Sequence, residues 1–150
     1  MKFIADAMLG RLAKWLRMLG YDTLYDPHWD DNELVRRARA EERLILTRDT
    51  ALAKRPGVRT LLISSQSLEG QLRQILDELG LEAHIPLSRC SLCNVPLEKI
   101  ERAAAQNLVP PYVFATQRHF MRCPQCARVY WRGTHWQRMK ELLDRIAARS

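Results

Sequence analysis

The sequence predicts an α/β fold, in which a parallel sheet with flanking helices is followed by a small module of a different kind. Up to residue 86, short apolar runs alternate with amphipathic stretches, which is typical of strands joined by helical crossovers. All four cysteines lie beyond Pro86. We therefore expect two domains, residues 1–86 and residues 87–150.

The first predicted strand is Lys2–Ala5, and Asp6 follows at its carboxyl end. A helix then runs to Leu19, with Gly20 at its end. The apolar residues that share one arc of this helix are Met8, Leu9, Leu12, Trp15, Leu16 and Leu19. The residues on the opposite side are Arg11, Lys14, Arg17 and Met18. We expect the first set to be buried and the second set to form a basic face.

The next elements are a strand, a helix and a second strand. Tyr21–Tyr25 suits a strand, and either Asp30 or Asp31 begins a helix that reaches about Glu41. The buried stripe of that helix is Leu34, Val35 and Ala38. Leu44–Thr47 is a continuous apolar run, as expected of a parallel strand that is covered on both faces.

A fourth strand and another helix complete the predicted sheet domain. One helical turn at Thr50–Arg55 precedes Pro56-Gly57, and Val58–Ser64 suits an edge strand. The apolar positions of the following helix, which ends at Gly80, are Leu68, Leu72, Ile75, Leu76 and Leu79. Right-handed crossovers would join the four strands into one parallel sheet.

The C-terminal module has weaker local patterns. Its second cysteine pair lies on short β-like segments, and Glu98–Gln106 is a polar stretch. Trp136–Ala148 is predicted to be a helix. Its inward residues are Met139, Leu142, Leu143 and Ile146, and its exposed residues are Arg138, Lys140, Arg145 and Arg149.

The cysteines form two pairs with metal-ligand spacing, Cys90-x-x-Cys93 and Cys123-x-x-Cys126. Two intervening residues allow a tight turn to direct both sulfurs at one tetrahedral ion, so the spacing predicts a structural Zn²⁺ site with four thiolates. Two disulfides are the alternative for an oxidising compartment. His119 or His135, on either side of the second pair, could replace one thiolate.

The net positive charge arises entirely in the C-terminal part. Residues 1–86 contain 13 Lys or Arg and 13 Asp or Glu, whereas residues 87–150 contain 11 and 4, so the whole excess of +7 lies there. This asymmetry favours nucleic acid as a partner, with a solvated basic surface as the alternative. The ring side chains that could stack on bases or fill a small core are Tyr130, Trp131, His135 and Trp136.

Three carboxylates are predicted to meet at one edge of the sheet. Asp6 ends the first strand, Asp49 ends the third, and Asp31 begins the helix between them. Two carboxylates about 4 Å apart repel by roughly 4 kcal/mol at an effective dielectric of 20, which a divalent cation would offset. Oxygen ligands select Mg²⁺ or Mn²⁺, the ions that assist phosphodiester hydrolysis. A helix cap is the alternative role for Asp6 and for Asp31.

Cations and further acids lie close to this predicted site in the sequence. The candidates for binding nucleic acid are Arg11, Lys14, Arg17 and Arg48, although each alone would also suit a solvated surface. Asp30 and Glu33 are candidates for a fourth acidic ligand. Glu33 would equally suit the first turn of a helix, where a negative charge is favourable.

Several of these segments together resemble the Mut-seven C-terminal RNase domain family. The resemblance rests on Phe3–Arg17, Leu44–Asp49, both cysteine pairs and Tyr130–His135, in this order. It implies a PIN-like nuclease domain followed by a zinc ribbon, and a metal-dependent ribonuclease activity. It also implies that Asp6, Asp31 and Asp49 are the acidic positions, with Arg11, Lys14 and Arg17 nearby, and it aligns Gln71 with a glutamine of the family.

The leading hypothesis is a ribonuclease that uses Mg²⁺ or Mn²⁺ to cut single-stranded RNA endonucleolytically, while the zinc ribbon binds the RNA. One alternative is a non-catalytic RNA-binding module associated with tRNA or the ribosome. Another is a protein-interaction adaptor built on the zinc ribbon. No apolar run approaches the roughly 20 residues of a membrane span, and no signal peptide is present, so we expect a cytoplasmic protein that does not contact membranes.

Overall fold

The computed structural model describes residues 1–148, which form two compact units. The first unit consists of Met1–Arg17 and Tyr21–Glu82, and the second consists of Met18–Gly20 and the chain from Ala83 onward. The predicted domain division at residue 86 stays a prediction. Arg149, predicted to be exposed on the last helix, lies outside the described residues.

The first unit contains the predicted four-stranded parallel sheet. Its strands, in the spatial order β2-β1-β3-β4, are β1 (Lys2–Ala5), β2 (Asp22–Leu24), β3 (Leu44–Thr47) and β4 (Thr60–Leu62). Its helices are α1 (Gly10–Met18, which ends at the first residue of the second unit), α2 (Asp31–Glu41), α3 (Thr50–Ala53) and α4 (Leu68–Leu79). The predicted α/β class is confirmed, and β2 and β4 are shorter than predicted.

The strand order creates a switch point between β1 and β3. The chain leaves β1 towards β2 on one side, and leaves β3 towards β4 on the other. The Asp6 N–H donates to the Leu46 carbonyl oxygen at 3.1 Å, so the β1–β3 pairing continues past the end of β1. Open α/β sheets bind ligands at the carboxyl ends of strands at such a point. The residues that follow β1 and β3 are therefore placed where a site is expected.

Apolar side chains cover both faces of the central strands. All four residues of β3 are buried, as predicted for a parallel strand between two helical layers. On one face, Ile4 and Ile45 pack with residues of α2 and α3, namely Leu34, Val35, Ala38 and Leu52. Because parallel crossovers are right-handed, the connection through α1 lies on the opposite face.

The predicted division of α1 into an apolar and a basic face is partly wrong. Met8 is 71% exposed because a 3-10 turn at Ala7–Leu9 precedes the α-helix and changes the angular spacing. Arg17 and Met18 are buried, and the Arg17 Nε donates to the Thr23 carbonyl oxygen at 2.8 Å. Only Arg11 and Lys14 of the predicted basic face are exposed.

The other helices of this unit follow the sequence pattern closely. α2 begins after the Asp30 cap and buries its predicted stripe. α4 ends where predicted, because Gly80 follows it in the left-handed conformation at φ +62°. Its buried residues are Gln71, Leu72, Ile75 and Leu76, whereas Leu68 and Leu79 are half-buried.

The second unit contains a three-stranded antiparallel sheet of β5 (Glu98–Ile100), β6 (Phe120–Arg122) and β7 (Val129–Tyr130). Its helices are α5 (Arg102–Ala105), α6 (Pro111–Thr116) and α7 (Thr134–Ala148). α5 and α6 were not predicted, and α7 begins two residues before the predicted Trp136. A small core of Ala105, Val109, Val113 and Phe120 packs α5 and α6 against the sheet.

The helices of residues 1–148 include none with both the length and the apolar character needed to cross a membrane.

Candidate active site and metal centre

Asp6 is a buried carboxylate at the carboxyl end of β1. It caps the 3-10 turn, where its Oδ1 accepts a hydrogen bond from the Met8 N–H at 3.0 Å. Its Oδ2 accepts a hydrogen bond from the hydroxyl group of Thr47, the last residue of β3. Asp6 therefore fulfils the predicted cap role, and is also fixed by a donor from the neighbouring strand.

Asp49 lies just beyond β3 and is connected to Asp6 through Thr47. The Asp49 N–H donates to the Thr47 Oγ1 at 2.9 Å. Asp49 caps α3, because its Oδ1 accepts from the N–H groups of Ala51 and Leu52 at 2.8 and 3.4 Å. Its Oδ2 has no hydrogen bond in the described chain. The structure thus joins two of the three predicted acids through one hydroxyl group.

Sequence reasoning did not identify Thr47. A polar residue that closes an otherwise apolar, fully buried strand is a signal that could have indicated it, because buried hydroxyl groups are generally hydrogen-bonded. Its relative exposure is 0%. Thr47 is placed to position both Asp6 and Asp49.

Asp31 is the first residue of α2 and is half-buried. The capping role belongs to Asp30, whose Oδ1 accepts from the Glu33 N–H at 2.8 Å. Within residues 1–148, the carboxylate of Asp31 forms no hydrogen bond. Asp6, Asp31 and Asp49 do not form a compact ligand group in the described structure, since the cysteines alone bring three or more possible ligand atoms within 4.8 Å of one another.

Glu33 is engaged by arginines of its own helix. Its Oε1 lies 2.5 Å from Arg36 Nη2 and 2.7 Å from Arg37 Nε. Hydrogen bonds from these two guanidinium groups lower the pKa of Glu33 to about 2. Glu33 is therefore ionised but already paired, and Asp30 is occupied as a cap.

The predicted cationic residues differ in their availability. Arg11 and Lys14 are exposed and have no ion pair in the described part of the chain. Arg48 is half-buried, and its Nε is shielded from solvent without a hydrogen bond among residues 1–148. Arg17 is committed to the Thr23 carbonyl oxygen, as described above. Of the four candidate cations, Arg11 and Lys14 are therefore the two whose charged groups are accessible to a ligand.

Two further contacts support the segments around the site. The Tyr25 hydroxyl donates to the Ala7 carbonyl oxygen at 2.9 Å and holds the turn that follows Asp6. Gly10 makes room for this ring, because a Cβ atom at residue 10 would lie 2.9 Å from the Tyr25 hydroxyl oxygen. Gln71 is buried and donates to the Ser65 carbonyl oxygen at 3.1 Å, so it supports the loop between β4 and α4.

The four cysteines meet in the second unit as a compact cluster. Their sulfur atoms all lie within 4.8 Å of one another, and all four are free thiols without a disulfide. The Cys90 and Cys126 sulfurs are 3.8 Å apart, which matches the edge of about 3.8 Å in a tetrahedron with Zn–S bonds of about 2.3 Å. The donor set can therefore bind zinc. The group of close ligand atoms among the described residues includes neither His119 nor His135.

Both cysteine pairs form the same kind of turn. The Cys93 N–H points at the Cys90 sulfur at 3.3 Å, and the Cys126 N–H points at the Cys123 sulfur at 3.4 Å. The residue after each pair is left-handed, with φ +62° at Asn94 and φ +67° at Ala127. These matched turns, with the antiparallel β5–β7 sheet, form the arrangement of a zinc ribbon.

The surroundings of the cysteine thiols shift the pKa values of Cys90 and Cys93 in opposite directions. Burial opposes ionisation of Cys90, but hydrogen bonds from the Tyr130 hydroxyl and the backbone N–H groups of Cys93 and Leu92 outweigh burial and lower the pKa of Cys90 to about 7. Burial and the hydrogen bonds shared with Cys126 and Cys123 raise the pKa of Cys93 to about 12. Four thiolates so close together require a cation, which is the chemistry of a zinc site.

Comparison with known proteins identifies a family for nearly the whole chain. A family model described as the Mut7-C RNAse domain matches residues 1–143. Searches of curated proteins and of solved structures found no significant match.

Proposed function

Because the chain belongs to the Mut7-C RNAse domain family, which implies a ribonuclease-like function, we propose that it hydrolyses the phosphodiester bonds of RNA with the aid of Mg²⁺ or Mn²⁺. The proposed ligands are Asp6, Asp31 and Asp49. This is the Mut-seven C-terminal RNase domain family that the sequence resembles. The domain of residues 1–86 would carry the reaction and that of residues 87–150 would bind RNA.

The arrangement of Asp6, Thr47 and Asp49 at the switch point carries this proposal. The Thr47 hydroxyl uses its donor on Asp6 and accepts the Asp49 N–H at 2.9 Å, so both acids are held from one point. Carboxylate oxygens can accept more than one partner, and the Asp49 Oδ2 has none in the described chain. Such an oxygen-only donor set suits a hard divalent cation. The chemistry of the residues is consistent with this ion.

The residues around the bound cation would have separate roles in the reaction. A cation bound there would supply Lewis acidity, which activates water and neutralises charge at the phosphate. Thr47 would keep the two carboxylates oriented before RNA arrives, which avoids reorganisation during the reaction. Arg11 and Lys14, exposed and unpaired in the described chain, would attract the flanking phosphates of the substrate.

We further propose that the enzyme cuts single-stranded RNA internally. The sharpest substrate is a circular single-stranded RNA, because it has no ends and can be opened only by an endonuclease. Incubation with Mn²⁺ should convert the circle into a linear product. The same reaction without added divalent ion should leave the circle intact, with no chelator present so that the cysteine cluster keeps its metal.

The matched variants are Asp49→Asn and Asp77→Asn. Asparagine caps a helix about as well as aspartate, so Asp49→Asn should keep α3 while it removes a charged ligand. Asp77 is an exposed acid on α4 and serves as the control. We expect Asp49→Asn to lower the cleavage rate at least about 100-fold and Asp77→Asn to leave it unchanged. Equal cleavage by both variants would reject the metal site.

A non-catalytic RNA-binding module is the second candidate, and the separation of the three carboxylates in the described structure favours it. It predicts salt-sensitive RNA binding without cleavage above the level of Asp49→Asn. The zinc-ribbon adaptor predicts neither cleavage nor salt-sensitive RNA binding.

A further inference from the structure

The second unit contains a cleft lined by ring side chains and arginines. The cleft lies among α6, β7 and the first turn of α7, and has a volume of about 530 Å³. This volume is within the range of roughly 300–1,000 Å³ that is usual for ligand pockets. We propose that this cleft binds the unpaired bases of single-stranded RNA. The proposal rests on the proposed function, because RNA is the substrate inferred there.

The ring side chains of the cleft include the exposed Tyr112 and Trp131, which packs against another ring. Tyr112 of α6 is 72% exposed, which is unusual for a large aromatic side chain. Trp131 is half-buried and packs edge-on against Phe120, with 6.4 Å between ring centroids. Its indole N–H has no hydrogen bond within residues 1–148. A base could therefore stack on a ring and also accept a hydrogen bond.

The absence of a side chain at Gly133 leaves room for the Trp131 ring. A Cβ atom at residue 133 would lie 2.6 Å from the indole Nε1, so only glycine permits this close approach without a shift of the ring. Trp136, also in the cleft, is fixed by a hydrogen bond of 3.3 Å from its Nε1 to the Ile85 carbonyl oxygen. The stacking surface is therefore largely preorganised.

The charge of the cleft matches a polyanion. Arg128 and Arg132 line the cleft, whereas no aspartate or glutamate does. Their guanidinium groups lie 5.7 Å from the Tyr130 ring and 5.2 Å from the Trp136 ring. Neither arginine has an acidic partner in the described chain. By contrast, several arginines of the first unit are already paired with carboxylates, namely Arg36, Arg37 and Arg43.

Rings for stacking beside unneutralised arginines are the means by which proteins bind single strands with little sequence preference. A duplex would not suit this cleft, because its bases already stack on one another. A small apolar ligand would not explain two unpaired arginines. The chemistry thus favours a single-stranded nucleic acid, with a base against a ring and its flanking phosphates against Arg128 and Arg132.

Binding is best measured by fluorescence anisotropy with labelled single-stranded oligoadenylate, on the zinc-loaded full chain carrying Asp49→Asn and without added Mg²⁺ or Mn²⁺. We expect Tyr112→Ala and Trp131→Leu each to weaken binding about tenfold, equivalent to about 1.4 kcal/mol, without changing its salt dependence. Arg132→Gln should weaken binding and lower the salt slope by about one. Leucine at residue 131 preserves an apolar contact with Phe120.

The control variant is Arg138→Gln. Arg138 is exposed on α7, the helix whose first turn lines the cleft, but Arg138 itself does not line it. It should change affinity less than Arg132→Gln. An abasic strand of the same length should bind more weakly than oligoadenylate and should not respond to Tyr112→Ala. Retained zinc content and circular dichroism would show that each variant is folded.

Unchanged affinity of folded Tyr112→Ala and Trp131→Leu, or equal affinity for the abasic strand, would overturn the proposal and leave an electrostatic surface. These experiments distinguish failure of the proposed RNA-binding cleft from failure of the proposed nuclease activity. Loss of affinity in Tyr112→Ala without cleavage by the parent protein would support the cleft and reject the nuclease. Cleavage of the circular RNA by the parent protein, with unaltered binding by Tyr112→Ala, would support the nuclease and reject the cleft.

Discussion

The Thr47 hydroxyl donates a hydrogen bond to the carboxylate of Asp6, from which it is separated by 41 residues in the chain. The same oxygen accepts the Asp49 N–H at 2.9 Å. One buried hydroxyl group therefore connects the ends of two adjacent strands and two acids, and it has no charge of its own to contribute.

Replacement of Thr47 by valine tests this connection, because valine keeps the shape of the side chain and removes the hydroxyl. We expect a loss of about 1–3 kcal/mol in the free energy of unfolding, since an Asp6 oxygen and the Asp49 N–H both lose a partner. RNA cleavage should fall further than this loss of folded protein explains. Urea unfolding and single-turnover cleavage would measure the two effects, and Thr47→Ser should restore most of both. Normal cleavage by Thr47→Val would exclude a positioning role.

Gly10 and Tyr25 provide a double-mutant cycle. Alanine is usually favoured over glycine in a helix by about 1 kcal/mol, yet a Cβ atom at residue 10 would lie 2.9 Å from the Tyr25 hydroxyl oxygen. We therefore expect Gly10→Ala to destabilise the parent protein but to stabilise Tyr25→Ala. Thermal unfolding of the four proteins would give the coupling energy. Independent effects of the two substitutions would show that the ring moves aside at no cost.

The cysteine cluster predicts one tightly held zinc ion per chain. Substitution of Cys123 by serine should remove most of the metal and unfold the second unit, because a structural site contributes to folding directly. Elemental analysis and far-ultraviolet circular dichroism would detect these changes. His119→Asn and His135→Asn are the matched controls and should retain the metal. Zinc loss in either histidine variant would point to a ligand outside the four-sulfur cluster.

The contribution of Glu33 to stability is expected to depend on pH. Hydrogen bonds from Arg36 and Arg37 lower its pKa from 4.5 to about 2, so its contribution to stability is present above about pH 4.5 and disappears as the pH falls towards 2. Titration of the Glu33 carboxyl carbon by NMR should therefore have a midpoint near 2. Arg36→Gln should move this midpoint upwards. A midpoint near 4.5 in the unmodified protein would show that water screens the pairs completely.

Local signals in the sequence were sufficient for much of the fold. The apolar run Leu44–Thr47, the Asp30 cap and Gly80 each specify their conformation through nearby atoms, and these elements are where the sequence predicts them. The four-residue α5 and six-residue α6 complete too few turns to show a period. They were therefore missed.

Contacts between distant segments account for the other differences. Arg17 is on a face that looks solvated from helical spacing alone, but its partner is the Thr23 carbonyl oxygen in β2. The sequence indicates that Asp6 and Asp49 follow strands of one parallel sheet, yet not that β1 and β3 are neighbours. Thr47 could not be assigned a role without that order, since its contact with Asp6 depends on it.

The position of β1 inside the sheet has a consequence for synthesis of the protein. Until the ribosome has made β3, one edge of β1 lacks its permanent neighbour, and bare strand edges can pair with other chains. At about 5–20 residues per second, the 41 residues from Asp6 to Thr47 take about 2–8 seconds to make. During this interval the nascent chain is open to aggregation. Pairing of β3 with β1 closes that edge, and Thr47 then connects Asp49 to Asp6.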